Sequence, residues 1–255
     1  MPKLQHTDWP AHLWVVRHGQ SAGNVARDEA ESNGATLIDL AHRDADTPLS
    51  ALGERQAAAL AQWFAVLPAG ERPTHYMSSP FVRAYQTCAS VADMTDAAPE
   101  DIIVDERLRE KEFGILDRYT VQGIRATFPE LAEQRALVGK FYFRPPGGES
   151  WCDVILRLRS VVEVLRRDHV GDRVVILAHQ VIVNCFRYLL ECLDERAILD
   201  IDRLADVPNC SITEYGFGAD GQRDRFGLLR ANYVPPELEA TAAVTVAADA
   251  PAGPK

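Results

Sequence analysis

Only five cysteines occur in the 255 residues, at Cys88, Cys152, Cys185, Cys192 and Cys210, and no two of them stand in CxxC spacing. An odd, scattered set in a chain of this size fits reduced thiols in a cytoplasmic protein and excludes a disulfide scaffold. Positive charge is also scarce. Lys and Arg number 27 against 37 Asp and Glu, a net charge of −10, which argues against nucleic acid or an anionic membrane surface as the main partner. No apolar run approaches the roughly 18 residues a membrane span needs, and the opening "MPKLQHTDWP" lacks a signal-peptide core. These features predict a soluble, cytoplasmic chain without a membrane partner. A small anionic substrate stays open, because a site needs only local positive charge.

Several chemistries are missing as well. There is no HxH or HExxH pair, and no glycine-rich loop ending in GK[ST]. A cysteine phosphatase needs a Cys, five residues, then Arg, whereas Cys152 is followed by Arg157 and Arg159, both out of register. The "DADTP" stretch at Asp44–Pro48 follows no strand, so it does not serve as an aspartate-nucleophile motif.

What is present is a sequence of one globular domain, with 47% hydrophobic and 25% charged residues. Apolar runs in "HLWVV", "THYMSS", "DIIVD" and "RVVILAH" read as buried strands. Between them lie helical patterns: one begins at the capping residue Ser50, another at Ser150, and "VIVNCFRYLLECL" follows its strand directly. Alternating strands and helices predict an α/β fold of three layers, a mostly parallel sheet flanked by helices. "CSITEYGF" and "RFGLLRANY", joined by "GADGQRD", add an antiparallel C-terminal hairpin. One domain is expected over 1–234, with a disordered, Ala- and Pro-rich tail from Pro235 to the end at 255. The polar stretch Val25–Thr47 has no clear period and reads as a lid or substrate wall, with room for a short helix around Asn24–Glu31.

Four features converge on strand ends, where open α/β sheets place their chemistry. "RHGQSAGN" puts Arg17 and His18 after the first strand, with Gly19 permitting a sharp turn whose N–H groups can face an anion. "SSPFVRAYQT" puts Arg83 in the first turn of a helix. "LREKEFG" carries Glu110 and Glu112 in a loop, either able to act as a general acid. "RVVILAHQ" puts His179 at the end of a second buried strand. Arginines beside the histidines would repel a metal ion but suit a phosphate dianion, which a neutral histidine can attack. No metal and no cofactor are expected.

Taken together, "RHGQSAGN", "TPLSALGERQA", "SSPFVRAYQT", "LREKEFG", "PPGGES" and "AHQ", in this order over Leu13–Tyr233, resemble the histidine phosphatase superfamily with its phosphoglycerate mutase-like fold. The resemblance implies that His18 is a nucleophile that becomes phosphohistidine. It implies that Arg17, Arg83 and His179 bind the phosphoryl oxygens, helped by Asn24 and the turn of Gly19, Gln20 and Ser21. It selects Glu110 over Glu112 as general acid. Gln20 and Gln180 stand where the family often has Glu and Gly; the "HQ" pair is more similar to fructose-2,6-bisphosphatase domains. Of the charges that bind the second phosphate there, Arg144 is kept, while Gly147, Asn184 and Phe128 replace others. The implied activity is metal-independent hydrolysis of a small phosphate ester, releasing inorganic phosphate. Mutase-type phosphoryl transfer and a non-catalytic phospho-ligand sensor are the alternatives. Val25–Thr47 and Leu116–Arg144 are expected at the pocket mouth, with Arg118, Tyr119, Lys140 and Arg144 near the leaving group.

Overall fold

The structure, a computed structural model, describes residues 8–218 and 225–246. Strands β1 (His12–Arg17), β2 (His75–Ser78), β3 (Ile102–Val104), β4 (Arg173–Ala178), β5 (Ile212–Phe217) and β6 (Phe226–Tyr233) form one sheet in the order β3-β2-β4-β1-β5-β6. The first four run parallel, β5 is antiparallel to β1, and β6 completes the expected hairpin. The residues joining that hairpin, 219–224, lie outside the described chain.

Side-chain alternation divides the interior into two cores. Leu13 and Val15 of β1, with Val174 and Ile176 of β4, face one side; Trp14 and Val16, with Val175 and Leu177, face the other. A strand covered on both faces reads as an unbroken apolar run, as both of these do. Beyond α4 (Val121–Thr127) and α5 (Pro129–Val138), the first core is closed by α6 (Trp151–Asp168), α7 (Gln180–Leu190) and Ile198 of α8 (Glu195–Leu204). The second is closed by α2 (Ala51–Val66) and α3 (Val82–Met94). The three layers follow from this alternation.

The helix starts follow their caps. Ser50 Oγ accepts from Gly53 N at 3.0 Å. Ser150 Oγ accepts from Asp153 N at 3.2 Å while the Asp153 carboxylate accepts from Ser150 N at 2.8 Å, a reciprocal box. Losing such a cap costs about 1 kcal/mol.

The polar stretch after His18 contains the short helix allowed for around Asn24–Glu31. Residues 22–32 form α1 (Ala22–Ser32), capped by Ser21, and Ala30 alone on it is buried. A helix with so little apolar surface carries no readable period. The chain after Pro235 differs from expectation, since it is not a loose tail throughout. It forms α9 (Pro236–Thr241), whose Leu238 and the following Ala242 pack into the second core. Beyond it, Thr245 O accepts from Asn209 N at 2.9 Å. Composition alone hid one leucine placed to enter the core. Residues 247–255 of the expected tail lie outside the described chain.

Among the described residues no helix is long and apolar enough to cross a membrane.

Candidate active site

Register brings the two histidines together. Arg17 pairs with Ala178 at the end of β1 and β4, so the next residue on each strand, His18 and His179, emerges at the same edge. His18 N donates to Ala178 O at 3.0 Å, and the rings stand 5.1 Å apart, edge to face. β2 ends beside them, where Ser79 Oγ lies 2.8 Å from His179 Nε2.

His18 has its tautomer set by its neighbours. Nδ1 lies 2.6 Å from the Gly19 carbonyl, which can only accept, so Nδ1 carries the hydrogen. Nε2 accepts from Arg83 Nε at 3.1 Å. The ring is 3% exposed. Burial first, then the charges of Arg83 and Arg17, hold its pKa well below the usual 6.5, so it is neutral at pH 7. His179 is fully buried, and burial, Arg83, His18 and Arg17 lower it in the same way. Its Nδ1 has no hydrogen-bond partner in the protein, an orphaned polar atom beside the cleft.

The two arginines flank these rings. Arg17 Nη1 donates to Gln180 Oε1 at 3.0 Å and to the Val207 carbonyl. Gln180 Nε2 in turn donates to Asp206 at 3.1 Å, so Gln180 orients the guanidinium. Arg83 is 5% exposed. Its Nη1 donates to Asp44 O at 2.6 Å and pairs with the carboxylate Oδ1 at 3.0 Å; Nη2 reaches Oδ2 at 3.2 Å.

A cleft of about 1000 Å³, counted to its open mouth, is lined by Arg17, His18, Ser21, Asn24, Arg83 and Glu110, together with Gln180. Glu112 does not line it. That carboxylate stands 3.7 Å from Arg109, so geometry separates the two glutamates that spacing alone left equal. The acidic loop is braced by Glu149, which receives Arg109 at 2.6 Å and Arg157 at 3.0 Å. It is also pressed against "PPGG": Gly114, at φ +57°, leaves 2.2 Å between an added Cβ and the Pro146 carbonyl.

The turn after His18 departs from expectation. Its N–H groups do not face the cleft as an anion nest: Gly19 N donates to Thr87 Oγ1 at 3.2 Å, Gln20 N to Gln56 Oε1 at 2.7 Å and Ser21 N to Asn24 Oδ1 at 2.9 Å. Gly19 is instead required by close packing, since a Cβ would meet the Gly53 carbonyl at 2.6 Å. The Gln20 side chain accepts from Ser50 Oγ at 2.7 Å and does not line the cleft. Asn24 spends Oδ1 on the cap and has its amide NH₂ left to offer.

Arg144 is likewise displaced. It pairs with Asp153, its side chain 63% exposed and outside the cleft. Lys140 binds Asp202 at 2.8 Å. Arg118 and Tyr119 do line the mouth, but Arg118 donates to the carbonyls of Leu40 at 3.1 Å and His42 at 2.6 Å. Both segments expected at the pocket mouth line the cleft, through Arg27, Glu31, Asp44 and Asp117 among others, but sequence reasoning did not single out these four. The spacing of Asn24, Arg27 and Glu31 puts them on one helical face, a signal visible once α1 is accepted as a helix.

His75, His169 and Asp172 form a group with metal-ligand spacing, but they precede β2 and β4 or begin them, at the opposite end of the sheet from His18.

The chain is 27% identical over 205 residues to a probable phosphoglycerate mutase of Photorhabdus laumondii, covering 80% of this chain and 84% of that one. It is 32% identical over 173 residues to a probable fructose-2,6-bisphosphatase of Schizosaccharomyces pombe, covering 68% of this chain and 36% of that protein. The structure of mycobacterial glucosyl-3-phosphoglycerate phosphatase matches with a TM-score of 0.65 and 28% identity, over 88% of this chain and 99% of that one; the same enzyme has been seen with inorganic phosphate and with VO3. The model of the histidine phosphatase superfamily (branch 1) matches residues 13–226. With that match spanning most of its length and two histidines meeting at one sheet edge, the chain belongs to the histidine phosphatase superfamily.

Proposed function

We propose that this protein is a metal-independent phosphomonoester hydrolase that works through phosphohistidine at His18. The observation that carries the proposal is the meeting of two buried histidines and two arginines at one sheet end, with His18 Nδ1 held by the Gly19 carbonyl and Nε2 facing Arg83, whose Nε–H a phosphoryl oxygen would take over and so free the Nε2 lone pair. In the first step Nε2 attacks phosphorus and the ester P–O bond breaks. Arg17 and Arg83 neutralise the phosphoryl oxygens, and Glu110 gives its proton to the departing alkoxide. The transition state needs positioning and charge neutralisation more than covalent chemistry. In the second step water attacks the phosphohistidine, the Glu110 carboxylate takes its proton, and the P–N bond breaks to release inorganic phosphate and neutral His18.

Acid-quench labelling with a ³²P-labelled aryl phosphate tests this. Acid-labile, base-stable label is expected on the wild type and none on His18→Ala, which loses turnover. Glu110→Gln should slow turnover about 10²- to 10⁴-fold and, with an aryl leaving group that departs unaided, accumulate label. Turnover by His18→Ala would remove the nucleophile. A coupled assay on 3-phosphoglycerate reads the mutase alternative, in which a bound hydroxyl replaces water as acceptor.

A further inference from the structure

At the opposite end of the sheet from His18 lies a second side-chain cluster with no part in the proposed reaction. One turn and one strand register build it. Helix α6 ends at Asp168, and the chain turns through His169, Val170, Gly171 and Asp172 into β4. Gly171, at φ +81°, permits the turn, and Asp172 N closes it by donating to His169 O at 3.2 Å. The side chains at its two ends meet, with His169 Nδ1 3.2 Å from Asp172 Oδ2. Pairing of β2 with β4 sets His75 opposite Val174, two residues further on. His75 Nδ1 comes within 3.3 Å of the same carboxylate oxygen.

Three donors thus converge. One atom from each of His75, His169 and Asp172 lies within 4.8 Å of the others, and the two imidazoles stand edge to face with centroids 4.8 Å apart. A tetrahedral zinc ion with bonds of about 2.0–2.1 Å needs its donors about 3.3–3.4 Å apart, close to both contacts made by Oδ2. The surroundings also suit a cation. The ion-pair partners of Asp172 are these two imidazoles, while Arg173 spends its Nε on the Arg72 carbonyl at 2.6 Å. At His18 two guanidiniums face the rings; here a carboxylate does. His169 is buried, whereas His75 and Asp172 are partly exposed, so an ion has a way in and water can complete its shell.

We infer that His75, His169 and Asp172 form a binding site for a divalent transition-metal ion of the zinc type, which clamps the turn between α6 and β4 to the start of β2. Two imidazole nitrogens and one carboxylate oxygen select such an ion over Mg²⁺ or Ca²⁺, whose shells are built from oxygen. Each ring binds through its Nδ1 lone pair as the Nε2–H tautomer. One hydrogen per ring moves from Nδ1 to Nε2, and the carboxylate exchanges two N–H contacts for a bond to the metal. The role is structural. The same turn is tied to the first strand, through Gly171 N to Trp9 O at 3.0 Å and His12 N to Asp172 O at 3.2 Å, so the ion secures the starts of three strands. The site stands apart from the phosphoryl chemistry and does not depend on the hydrolase reading.

Calorimetric titration of the full chain, first stripped with a chelator, tests the site with ZnCl₂ as probe. Wild type and His18→Ala should both bind zinc in the micromolar range or tighter, and MgCl₂ should give no binding heat. Zinc at about a hundredfold over Kd should raise the thermal unfolding midpoint of either protein by about 5–10 °C. His75→Gln, altered at a partly exposed position, should weaken zinc binding by at least about tenfold and lose most of that rise, with its zinc-free midpoint near that of wild type. Assigned imaidazole ¹H–¹⁵N spectra of the wild type give a reading that needs no substitution: one equivalent of zinc should move the His75 and His169 signals and leave those of His18 and His179 in place. Absence of zinc binding, equal binding by wild type and His75→Gln, or zinc shifts confined to other histidines overturns the inference.

Discussion

Arg83 Nε donates its hydrogen to His18 Nε2 at 3.1 Å while the same guanidinium grips the Asp44 carboxylate. One side chain thus touches both the proposed nucleophilic nitrogen and the acid that would compete with a phosphate for the guanidinium. Both ends of the guanidinium fork are used, and a lysine cannot reproduce that geometry.

Arg83→Lys should keep the positive charge but lose the Nε donor and the paired Nη contacts. Loss of a preorganised donor of this kind typically costs 10²- to 10³-fold in rate, and a fall of about that size in kcat is expected from steady-state kinetics. Activity within a few-fold of wild type would show that the fork plays no part.

Asp44→Asn should act in the opposite direction on phosphate. Removing the carboxylate frees Arg83 from its ion partner and removes repulsion from an entering dianion. Inhibition by inorganic phosphate should tighten by about tenfold, or roughly 1.4 kcal/mol. An unchanged or weaker inhibition constant would mean that Asp44 gives way at no cost.

Stability should fall on the acid side because of the two buried imidazoles. His18 and His179 have folded pKa values held well below 6.5 by burial and by the neighbouring arginines. The unfolded chain therefore takes up protons first as pH drops below about 6.5, and the folded state is disfavoured from there downward. Each such histidine contributes a slope of up to about 1.4 kcal/mol per pH unit. Urea titrations between pH 8 and 5 should show this loss, with a shallower slope in His18→Asn. Equal slopes in the two proteins would contradict a depressed His18.

The thiols should sort by depth. Cys88, Cys185 and Cys210 are buried, and burial raises all three, Cys88 to about 12. Cys192 is exposed. An aromatic disulfide reagent should label Cys192 quickly in the native protein and the buried three only after unfolding, as read by mass spectrometry. Fast labelling of Cys88 would mean that the α2–α3 side of the core opens.

Much of this architecture was legible because it rests on short-range signals. The alternation of Leu13, Trp14, Val15 and Val16 marks a strand covered on both faces, and Ser50 and Ser150 mark helix starts by their own side-chain bonds. The meeting of His18 and His179 was legible as two strand ends, but only the Arg17–Ala178 register makes them neighbours. What was not legible is partner choice. Arg144 binds Asp153 nine residues on, and Gly19 serves the backbone of Gly53 where an anion nest was expected. Such choices are made by tertiary packing, which leaves no local trace. Glu110 and Glu112 differ by two positions in a loop without period, so nothing local distinguishes them.

The C-terminal segment has a reach that its composition conceals. Gln56 donates to the Ala243 carbonyl and to Thr245 Oγ1 at 2.7 and 2.9 Å, and its other end receives Gln20 N. Asn209 receives Thr245 Oγ1 at 3.0 Å and donates to the His18 carbonyl at 2.9 Å. Two amides thus act as rods between the last described residues and the peptide that carries His18. A protease nick or an appended partner near residue 243 would be felt at His18, because stripping those far contacts leaves interior polar atoms, the Gln56 amide NH₂ and Asn209 Oδ1, unmatched at about 1–3 kcal/mol apiece.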